Sequence, residues 1–229
     1  HDREVDAINE PHRPIPSGRI PGRWGLYIAA LWSVLSLAVA SLLGAWVLIA
    51  TCLGLFLAWA YSAPPLRLKR NGWLGNAAFG FSYEGLAWVT GAAVMLGGAL
   101  PPVPVLLLAL LYSLGAHGIM TLNDFKAMEG DRQMGIRSLP VLLGAPGAAR
   151  TACLAMALPQ VVVIALLLHW QRPLQAAIVA GLLAAQALLM VRFLRDPVGK
   201  ALFYSGFGVP LFVSGMMAAA IAIRSLPGP

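Results

Sequence analysis

The feature that most constrains this chain is a series of long apolar runs that recurs from one end to the other. Seven runs approach the roughly 20 residues that a helix needs to cross a bilayer: about 26–42, 44–62, 74–97, 102–122, 148–169, 173–191 and 201–223. Only 11% of the 229 residues are charged, against roughly 25% in a soluble domain. The sequence therefore predicts an all-α, polytopic membrane protein, with residues 1–229 forming a single transmembrane domain.

The net charge of +7 is concentrated on one side of the predicted membrane. Assigning successive connections to alternate sides places all but two of the 16 Lys and Arg residues on the side of the first segment; the exceptions are Arg172 and Arg224. This asymmetry identifies the cation-rich side as cytoplasmic, and it accounts for the charge without a nucleic-acid partner. Cys52 and Cys153 both lie in apolar spans and predict neither a disulfide nor a zinc site.

Two clusters of acidic residues lie in the predicted cytoplasmic connections. Asp2 and Asp6 are four residues apart, and Asp124 and Asp131 are seven apart, so each pair occupies one face of a helix. Mg²⁺ binds a few carboxylate oxygens and completes its coordination with water and substrate phosphates. The clusters therefore predict a Mg²⁺–diphosphate site, with ordinary solvated loop charges as the alternative.

Basic residues and rigid turns accompany these acids on the same side. The stretch "YSAPPLRLKRNG" places Tyr61 and Lys69 on this side, on either side of a double proline at the end of a span, and "EPHRPIPSGRIPGR" places Arg13 in a proline-rich loop. The general excess of Lys and Arg in cytoplasmic connections explains why these basic residues lie on this side of the membrane, but it does not explain why they alternate with carboxylates. This arrangement favours a site for an anionic head group.

Two ionisable residues lie inside predicted spans. Glu84 is about ten residues into its span, and an intramembrane acid is a functional candidate, although pairing within the bundle is an equal alternative. His117 precedes Asp124 by seven residues and lies about 10 Å deeper on the same face. It is a candidate ligand or hydrogen-bond partner of a substrate, or a core histidine bonded to a neighbouring helix.

These residues resemble the motifs of the UbiA superfamily of intramembrane prenyltransferases, which carry two Asp-rich motifs on cytoplasmic loops of a nine-helix bundle. "DREVD" matches the last five positions of the first motif through Asp2 and Asp6, and "NDFKAMEGD" resembles the second through Asn123, Asp124 and Asp131. Ala127 replaces a further Asp that many relatives carry. The seven predicted spans fit a nine-helix family member that lacks its first two helices. We therefore expect this chain to be a fragment.

The finer resemblance is to the chlorophyll and bacteriochlorophyll synthase branch of that superfamily. The stretches "DAINEPHRPIPSGRIPGRWGLY", "AWAYSAPPLRLKRNGWLGN" and "NDFKAMEGDRQMGIRSLPVLLG" carry it, and "GAHGIMTLNDFK" is most similar to the bacteriochlorophyll synthases. The resemblance covers essentially the whole chain. It implies transfer of a C20 prenyl group, geranylgeranyl or phytyl, from its diphosphate to the propionate carboxylate of bacteriochlorophyllide, in a bacterial photosynthetic inner membrane.

The resemblance also implies a role for each candidate residue. Mg²⁺ is expected on Asp2, Asp6, Asn123, Asp124 and Asp131. The diphosphate is expected to contact Tyr61, Lys69, Arg13, Lys126 and Arg132. Asp124, Asp131 and Lys69 would be catalytic, and His117 and Glu84 would bind the acceptor. The alternatives are a UbiA relative that uses chlorophyllide, a quinone precursor or heme as acceptor, and a transporter. A transporter is disfavoured because the acids gather at one membrane face and not at the midplane.

Overall fold

The computed structural model describes residues 3 to 224, which are helical almost throughout. The helices are α1 (Arg3–Asn9), α2 (Trp24–Leu43), α3 (Ala45–Ser62), α4 (Gly72–Gly80), α5 (Leu86–Met95), α6 (Val103–Asp124), α7 (Met128–Gln133), α8 (Leu139–His169), α9 (Pro173–Arg195) and α10 (Pro197–Ile223). A short 3₁₀ turn, Leu68–Arg70, precedes α4, and a π-helical segment, Phe81–Gly85, joins α4 to α5 without a break. The described residues contain no β-strand apart from one isolated bridge.

The prediction of a membrane helical bundle is confirmed. Among the described residues, six helices are individually long and apolar enough to cross a bilayer: α2, α3, α6, α8, α9 and α10. The predicted span 74–97 is instead divided into α4, the π-helical segment and α5. The predicted start of the 148–169 span is too late, because the helical region begins at Leu139 and continues beyond a kink at Gly144, where φ is 69°.

The bundle is packed around α6, which contacts α4, α8 and α10. Small residues permit these close approaches, as is usual between membrane helices. A Cβ atom on Gly118 of α6 would lie 2.6 Å from the Ala152 carbonyl oxygen of α8, and one on Gly80 of α4 would lie 2.5 Å from the Ser113 carbonyl oxygen of α6. These tight contacts fix α6, whose last residue is Asp124, between its neighbours.

The outer faces of the bundle are apolar. Leu42 of α2 is 87% exposed and Leu202 of α10 is 85% exposed, and the rest of α2 also presents large apolar side chains outward. Surfaces of this kind mark contact with another apolar phase, and here the long apolar helices identify that phase as lipid. The protein is therefore an integral membrane protein.

One end of the bundle is held together by backbone contacts between distant segments. The Asn71 side chain caps α4 by accepting hydrogen bonds from the backbone N–H groups of Trp73 and Leu74, at 3.0 and 3.1 Å. The Gly72 N–H donates to the Arg137 carbonyl at 2.8 Å, and the Arg137 N–H donates to the Arg70 carbonyl at 3.0 Å. These bonds fix the 3₁₀ turn that carries Lys69 beside the segment that leads into α8.

Candidate active site at the helix ends

A polar cavity of about 290 Å³ lies where the ends of several helices meet. Its lining comes from α1 and the loop after it, the end of α3, the 3₁₀ turn and α4, the end of α6, and α7 with the segment before α8. The polar residues that line it are Asp6, Asn9, Glu10, Arg13, Tyr61, Lys69, Asn76, Asn123, Asp124, Lys126, Asp131 and Ser138. Asp6 of the first acidic sequence cluster and both acids of the second, Asp124 and Asp131, therefore face one shared space, which we call the polar cavity.

The wall formed by the end of α6 and by α7 carries the buried acids, and we call it the α6–α7 wall (Asn123, Asp124 and Asp131). Asp124 is 9% exposed and Asp131 is 6% exposed. The Asn76 side-chain amide donates to Asp124 Oδ2 at 3.2 Å and to Thr121 Oγ1 at 3.1 Å. The carboxylates of Asp124 and Asp131 lie close enough for their charges to interact. This wall therefore holds two neighbouring carboxyl groups that are largely shielded from water.

Lys69 is the cation that approaches the α6–α7 wall. Burial raises the pKa of the Asp131 carboxyl above its ordinary value, and the nearby Lys69 ammonium acts in the opposite direction. Desolvation disfavours the charged form of an acid, whereas a nearby cation favours it. Tyr61, at the end of α3, lines the same cavity as Lys69. The 3₁₀ turn thus brings an ammonium group to buried carboxylates.

The opposite wall is formed by α1 and the loop that follows it, and we call it the N-terminal wall (Asp6, Asn9, Glu10 and Arg13). Asp6 accepts a hydrogen bond from Arg13 at 3.1 Å, and Glu10 accepts one from Lys126 at 2.8 Å. The contact with Lys126 lowers the pKa of Glu10 below its ordinary value. The acids of this wall are more exposed than Asp124 and Asp131, and their charges are already paired.

Close packing of α1 against α7 brings the two walls together. At Gly130 of α7 there is no room for a Cβ atom, because the side-chain amide of Asn9 occupies the space. A larger residue at Gly130 would displace the Asn9 side chain, which lines the cavity.

The oxygen atoms of the α6–α7 wall suit a hard cation whose remaining coordination positions are filled by a bound ligand. Among the described residues no group of three or more His, Cys, Asp or Glu side chains is arranged to hold a metal ion by itself. Mg²⁺ does not need such a cage, since it is usually held by one or two carboxylates together with water and phosphate oxygens. Asp124 and Asp131, with the Asn123 amide beside them, fit that requirement.

Most of the residues predicted to bind Mg²⁺ or the diphosphate line the polar cavity, and some do not. Asp6, Arg13, Tyr61, Lys69, Asn123, Asp124, Lys126 and Asp131 all line it. Asp2 lies outside the described residues. Arg132, predicted to contact the diphosphate, is exposed and does not line this cavity, because α7 turns its side chain away while Asp131 faces inward.

Other residues of the cavity were not assigned from the sequence: Asn9, Glu10, Asn76 and Ser138. Glu10 had a sequence signal, since it lies four residues after Asp6 and therefore on the same helical face. Asn76 had a weaker one, as a lone amide in the apolar stretch "GWLGNAAFG". Ser138 precedes the apolar start of α8 and had none beyond its type.

A second cavity, of about 780 Å³, lies between α4, α6 and α8 and is mainly apolar; we call it the apolar cavity. His117 lines it, together with aromatic residues Trp73 and Phe81. Glu84 does not line this cavity or the polar one. It lies in the π-helical segment near Trp88, a residue that contacts Met216 of α10. The two predicted acceptor residues are therefore not brought together. Phe81 of the π-helical segment lines the apolar cavity with His117, whereas Glu84 of the same segment lies near Trp88.

The chain resembles known proteins over almost its full length. The model of the UbiA prenyltransferase family matches residues 1–223. The chain is 60% identical to the bacteriochlorophyll synthase 33 kDa chain of Cereibacter sphaeroides, covering 98% of this chain and 74% of that protein. It is 50% identical to the bacteriochlorophyll synthase 34 kDa chain of Chloroflexus aurantiacus, covering 98% and 71%. It is 40% identical to the chloroplastic chlorophyll synthase of Avena sativa, covering 97% and 60%.

The fold also resembles a solved structure. That structure, from work on digeranylgeranylglyceryl phosphate synthase in membranes, matches with a TM-score of 0.72 and 24% sequence identity, covering 97% of this chain and 78% of the other. At this identity the likeness bears on the fold alone. The fold, the family model and the relatives agree with the predicted family and its chlorophyll and bacteriochlorophyll synthase branch. The chain is a member of the UbiA prenyltransferase family.

Proposed function

We propose that this protein transfers a C20 prenyl group, geranylgeranyl or phytyl, from its diphosphate to the propionate carboxylate of bacteriochlorophyllide. The product is the prenyl ester, and inorganic diphosphate is released. The observation that carries the proposal is the polar cavity itself, in which buried Asp124 and Asp131 face Lys69 at one end of an apolar bundle. The 60% identity to a bacteriochlorophyll synthase chain supports the choice of acceptor.

The reaction needs charge stabilisation more than proton transfer. The allylic C–O bond to the diphosphate breaks, and a propionate oxygen forms the new C–O bond. The acceptor is already a carboxylate at neutral pH, because carboxyl groups of this kind have pKa values near 4. No general base is therefore required.

The residues of the polar cavity have distinct tasks in this reaction. Mg²⁺ on the α6–α7 wall would neutralise the charge that develops on the departing diphosphate. Lys69 and Tyr61 are fixed donors for the phosphate oxygens, and preorganised donors act most strongly where water is excluded. Arg13 of the N-terminal wall donates to Asp6, and Lys126, from the turn between α6 and α7, donates across the cavity to Glu10. A diphosphate that enters between the walls would compete with those acids for both cations.

The apolar parts of both substrates partition into lipid, which accounts for a site between membrane helices. The apolar cavity opens beside the same stretch of α6 that ends at Asp124. The excess of Lys and Arg on the side of the polar cavity favours a cytoplasmic opening in a bacterial photosynthetic inner membrane. A soluble diphosphate head would then enter from the cytoplasm.

The test is an acceptor competition in membranes that contain the protein. Labelled geranylgeranyl or phytyl diphosphate and Mg²⁺ are supplied with bacteriochlorophyllide, chlorophyllide or 4-hydroxybenzoate. We expect labelled ester with bacteriochlorophyllide at the highest rate and none with 4-hydroxybenzoate. A higher rate with chlorophyllide would show that chlorophyllide is the acceptor. Prenylation of 4-hydroxybenzoate at a rate similar to that of bacteriochlorophyllide would refute the proposed esterification of a chlorin carboxylate.

A further inference from the structure

His117 is a polar group in apolar surroundings that the transfer chemistry does not use. Among the residues that line the apolar cavity, it is the one with an ionisable side chain. The hydroxyl of Ser113, on the same wall, donates to the Ala109 carbonyl at 2.6 Å within its own helix. The Thr151 hydroxyl likewise donates to the Gly147 carbonyl at 3.0 Å. The hydroxyl protons of Ser113 and Thr151 are therefore used within their own helices, and the imidazole, a common metal ligand in proteins, is the strongest metal-binding group of this lining.

The surroundings of His117 orient its ring. The backbone of Trp73 lies within hydrogen-bonding reach of the imidazole, and the Trp73 and His117 rings are 5.7 Å apart. The imidazole also has a hydrogen bond with the backbone of its own residue. A ring N–H that donates to a backbone carbonyl fixes the tautomer, and the ring nitrogen without the proton then carries a lone pair. Metal-binding histidines in proteins commonly have this support. The structure thus presents an oriented imidazole to an apolar space.

We propose that His117 is the axial ligand of the central magnesium of bacteriochlorophyllide when the pigment occupies the apolar cavity. The inference rests on the proposed function and deepens it. Four ring nitrogens bind the magnesium in the plane of the macrocycle and leave an axial position open to a donor such as imidazole. A prenyl tail, the other apolar substrate group, has no atom that a lone pair could bind.

The dimensions of the site agree with this placement. The cavity has a volume of about 780 Å³, and Trp73 and Phe81 supply aromatic surface for a flat ring. His117 precedes Asp124 by seven residues of α6, which corresponds to about 10 Å at 1.5 Å per residue. A macrocycle held there at its centre can extend the propionate arm of its edge toward the polar cavity.

The test compares pigments with and without the metal. Absorption titrations would measure Kd for bacteriochlorophyllide and for its magnesium-free form with the wild-type protein and with His117→Leu, in the same membranes. We expect His117→Leu to weaken binding of the magnesium pigment about tenfold, or 1.4 kcal/mol, and to leave the metal-free pigment within twofold. The coordination-sensitive absorption band should shift in the wild-type complex alone.

Two further variants keep the test decisive if His117→Leu is poorly folded. In His117→Gly, added imidazole should restore both the absorption shift and the binding of the magnesium pigment. Ser33→Ala, a change on α2 at a residue that lines neither cavity, should leave Kd for both pigments unchanged. Rescue by imidazole depends on a vacant donor position and is not expected from a merely structural histidine.

The contrary outcomes are distinct. Equal weakening of both pigments would show that His117 packs or bonds to the ring edge, and no weakening would show that it does not contact the pigment; either overturns the inference. A raised KM for the prenyl diphosphate alone would assign the cavity to the prenyl tail and also overturn it. The proposed function fails separately, if the wild-type protein does not esterify bacteriochlorophyllide.

Discussion

The two walls of the polar cavity carry acids of the same type that differ in burial and in their pairing with cations. On the N-terminal wall, Asp6 and Glu10 are partly exposed, and each contacts a cation, Arg13 at 3.1 Å and Lys126 at 2.8 Å. On the α6–α7 wall, Asp124 and Asp131 are buried; Asp124 accepts a hydrogen bond from the neutral Asn76 amide, and the Lys69 ammonium lies near Asp131. Each acid of the first wall therefore has its own cation, whereas Lys69 approaches a pair of buried acids on the second.

The difference indicates which wall determines turnover. A metal ion that binds at the N-terminal wall competes with a paired cation for each acid, whereas one that binds at the α6–α7 wall adds positive charge beside two buried carboxyl groups that share the nearby Lys69. Paired charges near the surface contribute little to stability, because solvent screens them. We therefore expect substitutions to have a graded effect, largest on the α6–α7 wall and smallest on the N-terminal wall.

The largest effect is expected from Asp124→Asn and Asp131→Asn. Each change removes a buried negative charge that faces the departing diphosphate and its cation, so we expect kcat/KM to fall about 10²–10³-fold, the range found when one transition-state donor is removed. Initial rates at limiting Mg²⁺ in membranes check this, and immunoblots confirm equal insertion. Near-normal rates in both variants would show that Asp124 and Asp131 do not hold the Mg²⁺ ion used in catalysis.

Lys69→Ala should come next, with a specific kinetic signature. The ammonium lies beside Asp131 and lines the polar cavity, so its loss should lower kcat/KM for the prenyl diphosphate by about tenfold to a hundredfold. Apparent affinity for the acceptor should change less. Arg132→Ala is the matched control, because Arg132 is exposed outside the cavity; an equal loss in that variant would show that general positive charge is what matters.

Asn76→Ala should have a smaller effect of the same kind. The amide links Asp124 to Thr121, and removing it leaves a buried carboxylate without that donor, which costs about 1–3 kcal/mol. We expect a fall in kcat of about tenfold and a higher Mg²⁺ concentration at half-maximal rate. If only thermal stability falls, while the Mg²⁺ dependence is unchanged, Asn76 has a structural role and does not position Asp124.

The smallest effects are expected on the N-terminal wall. Asp6→Asn and Glu10→Gln each break an exposed ion pair, so thermal stability should be unchanged within error and kcat/KM should fall less than about tenfold. The measurement is the same assay across a salt series, in which the wild-type dependence on ionic strength should be weakened. A fall in kcat/KM as large as that of Asp124→Asn would show that the two walls contribute equally to turnover, against the expected difference.

Much of the fold was predictable, because long apolar runs leave a chain in lipid few options. The positions of α2, α3, α6, α9 and α10 follow from those runs. The π-helical segment at Phe81–Gly85 could not be predicted, since it depends on how α4 and α5 pack against α6. The kink at Gly144 was also missed, because an apolar stretch continues on both sides of it.

The site was predictable in residue type but not in electrostatic state. The spacing of Asp124 and Asp131 places them on one helical face, and both line the polar cavity. The sequence could not show that Arg13 and Lys126 bond to Asp6 and Glu10, since these contacts join segments of unknown relative position. The sequence also could not show that Arg132 lies outside the polar cavity, because the direction in which the short helix α7 presents its side chains depends on its contact with α1.

The most direct test of the difference between the walls is the Mg²⁺-dependent binding of a non-reactive prenyl diphosphate analogue, measured without the acceptor. Kd would be determined with and without Mg²⁺ for the wild-type protein, for Asp124→Asn with Asp131→Asn, and for Asp6→Asn with Glu10→Gln. We expect Mg²⁺ to tighten binding in the wild-type protein and in the N-terminal double variant, and to have no effect in the α6–α7 double variant. Loss of the Mg²⁺ effect in the N-terminal variant, with its retention in the α6–α7 variant, would contradict this account.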